Sequence, residues 1–205
     1  MKSLVYRIVR TLIWLPVKLL FRVHWQDRRY EPASGDGPYL VCANHQTALD
    51  VIFLAAVLRR QQPHFMAKAE LFRVPVLGWL VRKLGAFPVA RGKGDVGAIK
   101  HAISLLGEGR AVGVFPQGTR CPGRELRDCS VKAGAGMIAA RTGAQVLPVY
   151  IKMKGRRWRF LRRVTVIVGK PIPFESFHYS PDASGEYARI TGEIYEQICL
   201  LDEAD

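Results

Sequence analysis

A histidine and an aspartate stand five positions apart in the segment His45-Gln46-Thr47-Ala48-Leu49-Asp50. On one continuous helix the two side chains would diverge by about 140°, because an α-helix has 3.6 residues per turn. If His45 lies in a loop and Asp50 in the first turn of a helix, the carboxylate can hold one nitrogen of the imidazole ring. The other nitrogen is then free to act as a general base, a common role of histidine in catalysis.

The same segment also has a purely structural interpretation. Thr47 and Asp50 form a Ser/Thr-x-x-acid pattern, which is typical of a helix start capped by reciprocal hydrogen bonds. Asp50 could therefore serve only the helix, or it could serve the helix and the imidazole together. The sequence leaves these alternatives open.

A second candidate site follows a strand predicted at positions 111–115. It is the hexapeptide Phe115-Pro116-Gln117-Gly118-Thr119-Arg120. Ligands of α/β proteins bind at the carboxyl ends of the strands. We expect Gly118 to let backbone N–H groups approach an anion, Thr119 to add a donor, and Arg120 to hold a phosphate through two hydrogen bonds. An ordinary loop with a solvated arginine is the alternative.

Two further cations stand beside predicted strands. Arg91 follows a short predicted strand at 87–90, and Lys68 precedes Glu70 just after another at 64–67. Each could bind an anionic substrate. Taken singly, Arg91 is equally compatible with a surface position, and Lys68 with a local charge pair to Glu70.

Strands and helices alternate along most of the chain. Strands are predicted at 39–43, 64–67, 87–90, 111–115, 146–151 and 164–168, and helices at 48–59, 76–84, 96–106, 132–142 and 187–201. This alternation predicts an α/β fold with a largely parallel, helix-covered sheet. The predicted sheet would bring the candidate residues to the carboxyl ends of its strands.

Composition agrees with one globular domain that has a basic surface. The chain has 205 residues, 49% of them hydrophobic, and 31 Lys and Arg against 17 Asp and Glu, for a net charge of +14. Such a composition excludes disordered and collagen-like chains. We predict a domain over 31–205, preceded by a helical segment over 1–30. The four cysteines lack zinc-site spacing, so we expect reduced thiols, no metal site and a cytosolic setting.

The segment 1–30 combines seven Lys and Arg with a single Asp, and it carries Trp14 and Trp25 among apolar residues at helical spacing. This pattern is typical of a helix that lies on an anionic membrane surface, although such a helix can also pack on its own domain. Pro16 predicts two short helices rather than one. The longest apolar runs fall short of the roughly 20 residues that a transmembrane helix needs.

A second basic cluster lies at 152–163. It holds seven Lys and Arg with no acidic residue and encloses Trp158 and Phe160. Phosphate, a membrane surface or an acidic carrier protein would suit this charge. The alternative is a charged turn between two strands.

Five pieces of the sequence occur in a diagnostic order: NHQTALD, AKAELF, GAFPVAR, FPQGTR and VLPVYI. Together they resemble the glycerolipid acyltransferases related to bacterial 1-acylglycerol-3-phosphate acyltransferase, over about residues 39–173. The resemblance implies that His45 is the general base and Asp50 its orienting partner. The residues that match the substrate-binding blocks are Arg91, Gly118, Thr119, Arg120, Gln117 and Lys68. Gln117 is one departure, because the family usually has glutamate there.

The resemblance further implies transfer of a fatty acyl group from acyl-ACP or acyl-CoA to the sn-2 hydroxyl of 1-acylglycerol 3-phosphate. No cofactor beyond the thioester is implied. The expected partners are an anionic membrane surface, a lysophospholipid acceptor and an acyl carrier protein or CoA thioester, with no nucleic acid. The expected location is the cytoplasmic face of the cell membrane, as a peripheral or monotopic protein.

Two alternatives compete with this function. Within the same enzyme class, the acceptor would be glycerol 3-phosphate or another lysophospholipid. In a different class, the chain would be a non-enzymatic basic protein that binds a membrane surface or nucleic acid, because phosphate backbones attract basic patches without sequence preference.

Overall fold

The buried strands collect into one seven-stranded sheet. The computed structural model describes residues 4–33, 35–89, 96–153 and 163–203. The strands are β1 (His24–Gln26), β2 (Tyr39–Ala43), β3 (Pro63–Lys68), β4 (Phe87–Val89), β5 (Ala111–Val114), β6 (Gln145–Met153) and β7 (Val164–Val168). Their spatial order is β1-β7-β6-β2-β5-β3-β4. Every neighbouring pair is parallel except β6 and β7, which confirms the predicted largely parallel α/β sheet.

The helices cover both faces of this sheet. They are α1 (Leu4–Phe21), α2 (Asp50–Val57), α3 (Pro75–Lys83), α4 (Val96–Gly107), α5 (Gly134–Thr142) and α6 (Glu186–Glu203). Side chains alternate across a strand, so β2 feeds two cores. Leu40 and Cys42 pack in a core with residues of α4, α5 and α6. Tyr39, Val41 and Ala43 pack in a second core with residues of α1 and α2.

The N-terminal segment differs from its prediction in two respects. α1 runs unbroken from Leu4 to Phe21, so the expected division at Pro16 is wrong. Proline removes one backbone hydrogen bond from a helix interior. Contacts with the domain hold the following turns, because Val17 and Phe21 are buried in the second core. After α1 the chain enters the sheet as β1, which pairs with β7 and was not predicted.

The other elements match their predictions closely, with shifts at the ends. The predicted strands at 39–43 and 164–168 have the observed bounds. α2 starts at Asp50 and stops at Val57, two residues inside the predicted range at each end. Residues 90–95 and 154–162 lie outside the described residues, and with them lie Arg91 and most of the basic cluster at 152–163.

The described helices of the domain are too short or too polar for a membrane span. Within the described ranges, no helix is both long enough and apolar enough to cross a bilayer.

Candidate active site

The loop after β2 lies at the centre of the sheet, between the carboxyl ends of β6 and β5. Asn44, the first residue of this loop, is fully buried and is fixed to β6. Its Oδ1 accepts a hydrogen bond from the Ile151 N–H at 2.7 Å, and its Nδ2 donates to the Ile151 carbonyl at 3.1 Å. The loop therefore leaves the strand from a fixed point, and His45 follows immediately.

Asp50, the first residue of α2, turns its carboxylate back into this loop. Its Oδ2 lies 2.8 Å from His45 Nδ1 and accepts hydrogen bonds from the N–H groups of Gln46 and Thr47, at 2.6 and 2.9 Å. The Leu49 N–H donates to Thr47 Oγ1 at 2.8 Å. Asp50 thus holds the loop and the imidazole together, because one oxygen atom makes all three contacts. The reciprocal cap predicted for Thr47 and Asp50 is only half formed, since no side chain caps the start of α2.

The contacts of the imidazole leave only its second nitrogen available. An ionised carboxylate can only accept hydrogen bonds, so Asp50 places the ring proton on Nδ1 and leaves the lone pair on Nε2. One face of the ring stacks on Phe115, with centroids 4.0 Å apart and planes 12° apart. Such a histidine can accept a proton from a bound hydroxyl group and stay oriented while it carries the charge.

Phe115 belongs to a short aromatic stack that rises from the sheet. Its ring lies 6.3 Å, centroid to centroid, from the ring of Phe65 on β3. Phe65 in turn crosses Gly113 of β5, where an added Cβ would lie 2.1 Å from the Phe65 ring. The stack has room to form because position 113 carries no side chain.

The turn after β5 binds the histidine backbone as well as its ring. The His45 N–H donates to Gln117 Oε1 at 2.6 Å, and the His45 carbonyl accepts from the Cys121 N–H at 2.8 Å. Gln117 was predicted to bind substrate, and that role stays a prediction. Its side chain is buried, with the residue 1% exposed. Phe115 and Cys121 were not singled out as functional, since no local spacing reveals contacts with a residue as distant in the sequence as His45.

The exposed part of the same turn carries the residues predicted to hold an anion. Gly118 adopts a φ of +67°, where glycine is favoured, and its N–H donates to the Phe115 carbonyl at 2.9 Å. Thr119 and Arg120 are exposed, and the Thr119 hydroxyl donates to the Arg120 carbonyl at 3.2 Å. The structure thus places Gly118, Thr119 and Arg120 in one turn with the residues that contact His45.

Two lysines border this region. Lys68 ends β3 and forms an exposed ion pair with Glu70 at 3.2 Å, the local charge pair considered above. Because β3 is parallel to β5, Lys68 lies at the same edge of the sheet. Sequence analysis missed Lys132, whose stem would lie 2.8 Å from a Cβ at position 118. Its N–H donates to the Pro116 carbonyl at 2.8 Å.

The cysteine of the turn is a poor nucleophile. Burial raises the pKa of the Cys121 thiol, and the neighbouring Cys129 raises it further. A thiol whose pKa is raised stays protonated at neutral pH, and the thiolate is the nucleophilic form. In the part of the chain that the structure describes, no three His, Cys, Asp or Glu side chains are grouped to hold a metal ion. The absence of a cofactor other than the thioester stays a prediction.

Comparison with known proteins places this geometry in a family. The family model described as Acyltransferase matches residues 21–152. The 1-acyl-sn-glycerol-3-phosphate acyltransferase of Bacillus subtilis is 33% identical over 174 residues, covering 84% of this chain and 85% of that protein. A lyso-ornithine lipid O-acyltransferase of Pseudomonas aeruginosa is 34% identical over 118 residues, covering 57% of this chain and 44% of that protein.

A solved structure agrees over nearly the whole length. The crystal structure of the 1-acyl-sn-glycerophosphate acyltransferase PlsC of Thermotoga maritima aligns with a TM-score of 0.77 at 25% identity, covering 97% of this chain and 79% of that one. The resemblance found in the five sequence pieces is therefore confirmed. The chain belongs to the acyltransferase family and is an O-acyltransferase.

Proposed function

We propose that the protein transfers a fatty acyl group from acyl-ACP or acyl-CoA to the sn-2 hydroxyl of 1-acylglycerol 3-phosphate, making phosphatidic acid. The observation that carries this proposal is the buried contact of 2.8 Å between His45 Nδ1 and Asp50 Oδ2 at the centre of the sheet edge. Relatives named for acylation of this acceptor cover most of the chain and support the choice of substrate.

In the proposed mechanism, Nε2 of His45 removes the proton from the acceptor hydroxyl as its oxygen attacks the thioester carbonyl carbon. The resulting tetrahedral intermediate collapses, the carbon–sulfur bond breaks and the new ester forms. The imidazolium then returns its proton to the departing thiolate. Asp50 stabilises the imidazolium throughout by its charge. No acyl-enzyme is required, which agrees with the raised pKa of the Cys121 thiol in the neighbouring turn.

We assign the acceptor phosphate to the cations at this edge of the sheet. Arg120 and Lys68 are exposed there, and Lys132 lies against Gly118. Arg91 is proposed for the same role from its match to the family block, although it lies outside the described residues. Guanidinium groups bind phosphate through paired hydrogen bonds, and holding the acceptor beside the base accelerates the reaction by itself.

The test is thiol release from acyl-CoA and from acyl-ACP when 1-acylglycerol 3-phosphate is added, with phosphatidic acid measured in parallel. Wild type and His45→Ala are compared side by side. We expect acceptor-dependent release in the wild type and its loss in the variant. Activity retained by the variant would remove His45 from the mechanism. Silence with both donors would favour another acceptor or the non-enzymatic alternative.

The acceptor itself is tested with a panel of substrates. It contains 1-acylglycerol 3-phosphate, glycerol 3-phosphate, a lysophospholipid with a larger head group and 1-acylglycerol without phosphate. We expect the first to react fastest and the last to react poorly, because it offers no anion to Arg120. Equal rates for the phosphorylated and unphosphorylated acceptors would contradict the assigned phosphate site.

We also propose that α1 binds the protein to an anionic membrane. Ile8, Leu12 and Leu19 fall within about 40° of one another around the helix, from 3.6 residues per turn. Leu12 and Leu19 are 68% and 64% exposed, whereas Val17 and Phe21 on the opposite side are buried. The outward face of α1 is therefore apolar, as in helices that lie in a membrane interface.

A cluster of arginine and tryptophan lies on the other side of α1, where the helix packs on the domain. The Arg59 guanidinium lies 5.0 Å from the Trp14 ring centroid and 5.7 Å from that of Trp25. Arg28 lies 5.4 Å from the Trp25 ring. Amphipathic aromatic rings and cations of this kind favour the headgroup region of a bilayer. We assign the membrane surface to the cytoplasmic side, where acyl-ACP and acyl-CoA are available.

Vesicle binding tests this docking. The double variant Leu12→Asp, Leu19→Asp keeps the buried side of α1 intact and places two charges on its outward face. We expect co-sedimentation with vesicles that contain phosphatidylglycerol to fall at least ten-fold, because about 4 kcal/mol of apolar burial is lost when two leucines no longer insert. Leu200→Asp, at an exposed position of α6, is the matched control. Unchanged binding of the double variant would contradict the docking.

A further inference from the structure

One turn, remote in sequence, holds the candidate base on three sides. In the turn at 115–121, the Phe115 ring stacks on the imidazole and Gln117 accepts a hydrogen bond from the His45 N–H. The Cys121 N–H donates to the His45 carbonyl. Of the atoms of His45, Asp50 contacts only Nδ1, at the edge of the ring. The plane of the ring and the position of the backbone are therefore set by the turn, and not by Asp50 alone.

Phe115 is suited to both the neutral and the charged state of the ring. Its ring lies nearly parallel to the imidazole, at a centroid distance of 4.0 Å. The face of an aromatic ring carries negative electrostatic potential, so it attracts a cation placed over it. An imidazolium formed during the reaction would be stabilised at this face, while the same contact prevents rotation of the neutral ring.

Gln117 supplies a hydrogen-bond acceptor without a charge. Its Oε1 binds the His45 N–H at 2.6 Å, in a position that is 1% exposed. Its Nε2 is buried and makes no hydrogen bond within the described residues. The side chain is thus engaged through its oxygen. A carboxylate at the same place would add a second negative charge beside the imidazole, next to Asp50.

We propose that Phe115 and Gln117 are positioning residues for His45, a role that rests on the proposed function of His45 as the base. Phe115 fixes the ring plane and stabilises the imidazolium. Gln117 fixes the backbone and, being uncharged, adds no second negative charge beside the imidazole. In this role both residues act through His45, so we expect both to change kcat and not KM.

The stacking is tested with Phe115→Leu, which keeps an apolar side chain and removes the aromatic face. We expect kcat to fall roughly 5- to 30-fold, the range of a desolvated contact between a cation and an aromatic face, with KM for both substrates unchanged. Phe115→Tyr restores the face and most of kcat. Phe174→Leu, in an aromatic cluster elsewhere, is the matched control. An unchanged kcat in Phe115→Leu, or a loss confined to KM, would overturn this role.

The hydrogen bond from the His45 N–H to Gln117 is tested with two substitutions at position 117 that keep the side chain at a similar size. Gln117→Leu removes the oxygen, and we expect kcat to fall about ten-fold because the buried His45 N–H loses its partner. Gln117→Glu keeps the oxygen, so kcat on the alkaline plateau is retained. A loss of kcat on that plateau as large as that of Gln117→Leu, or an unchanged kcat in Gln117→Leu, would overturn the positioning role.

The pH dependence of kcat distinguishes the effect of a charge at position 117 from the effect of packing there. Among the described residues, the carboxylate of Asp50 on α2 contacts the imidazole, and Cys121 of the turn contacts His45 through its backbone N–H while its thiol stays neutral. In Gln117→Glu, we expect the acidic limb of the kcat profile to move about one pH unit upward, because a nearby carboxylate favours the imidazolium. Gln145→Glu, which adds the same charge at the start of β6, should leave the limb in place. Coincident limbs for Gln117→Glu and wild type would overturn the role of charge.

His45→Ala is assayed in the same series. If it retains activity, the proposed function of His45 fails and the positioning roles fail with it. If it is inactive while Phe115→Leu and Gln117→Leu keep full kcat, only the inference about the turn is overturned. Melting temperatures of all variants identify any loss that comes from unfolding.

Discussion

The starts of α2 and α6 place an acidic residue in nearly the same local setting. Asp50 begins α2, and its carboxylate accepts backbone N–H groups of the preceding loop together with a contact to His45. Glu186 begins α6, and its carboxylate accepts the Ser180 N–H at 3.0 Å together with two hydrogen bonds from Arg189, both at 2.7 Å. Each carboxylate thus binds backbone N–H groups of the segment before its helix together with a nitrogen of a side chain.

The two starts differ in burial and in the partner that they hold. Asp50 is fully buried at the carboxyl ends of the central strands, whereas Glu186 is half-buried and its partner Arg189 is exposed. A guanidinium keeps its charge at every physiological pH, so Arg189 can only form an ion pair. An imidazole changes charge near neutral pH and keeps one nitrogen free. The same pattern of contacts therefore serves stability at α6 and, in the proposed function, chemistry at α2.

The largest expected effect is on catalysis in Asp50→Asn. All three contacts of Asp50 use Oδ2, so an asparagine oxygen in that place can keep each one while the charge disappears. We expect kcat to fall about a thousand-fold, because the imidazolium loses its counter-charge. The melting temperature should change little. Steady-state kinetics and thermal unfolding measure the two effects.

Asp50→Ala is the companion variant, because it removes the charge and the three contacts together. We expect a similar loss of kcat and a clearly lower melting temperature. If Asp50→Asn kept more than a tenth of wild-type kcat, the charge of Asp50 would not be what separates the start of α2 from that of α6.

An intermediate effect is expected from Thr47→Ala in the same loop. The variant deletes the oxygen that accepts the Leu49 N–H at 2.8 Å. Loss of such a local hydrogen bond costs about 1 kcal/mol of unfolding free energy, and kcat should fall only a few-fold because Asp50 still holds His45. Urea unfolding and kinetics on the same preparation test this. A loss of kcat as large as in Asp50→Asn would show that the loop, and not the carboxylate, controls the base.

The smallest effect is expected from Glu186→Gln at α6. Hydrogen bonds from Arg189, then from the Ser180 N–H, lower the pKa of Glu186 to about 2. A depressed pKa stabilises the fold above the ordinary pKa of the group, and this stabilisation is lost as the pH falls through about 2. The variant should therefore melt slightly lower than wild type at pH 7, with the gap closing below pH 4 or so. Activity at pH 7 should be unchanged, and a gap that widened in acid would contradict the assigned ion pair.

Local patterns in the sequence predicted the elements and half of the site. β2 and β7 have their predicted bounds, and the contact between His45 and Asp50 follows from their spacing around a helix start. The strand β1 was missed because its three residues, His24–Gln26, are all exposed and lack an apolar alternation. The contacts of Phe115 and Gln117 with His45 were not predicted because they depend on how β2 and β5 pair, which no local window contains.

The lack of a side chain at Gly113 allows the rings beneath His45 to pack close to the sheet. Phe65 can cross β5 only because Gly113 has no Cβ. The Phe115 ring stacks on the Phe65 ring, and the His45 ring stacks on Phe115, which forms a column of three rings. A side chain at position 113 would press on the Phe65 ring, and we expect it to shift this column and the His45 imidazole with it. Position 113 carries no reactive atom, yet saturation mutagenesis should recover glycine most often among active clones. New acceptor preferences in this scaffold must then arise at the exposed rim of the turn, where Thr119 and Arg120 can change without moving the column.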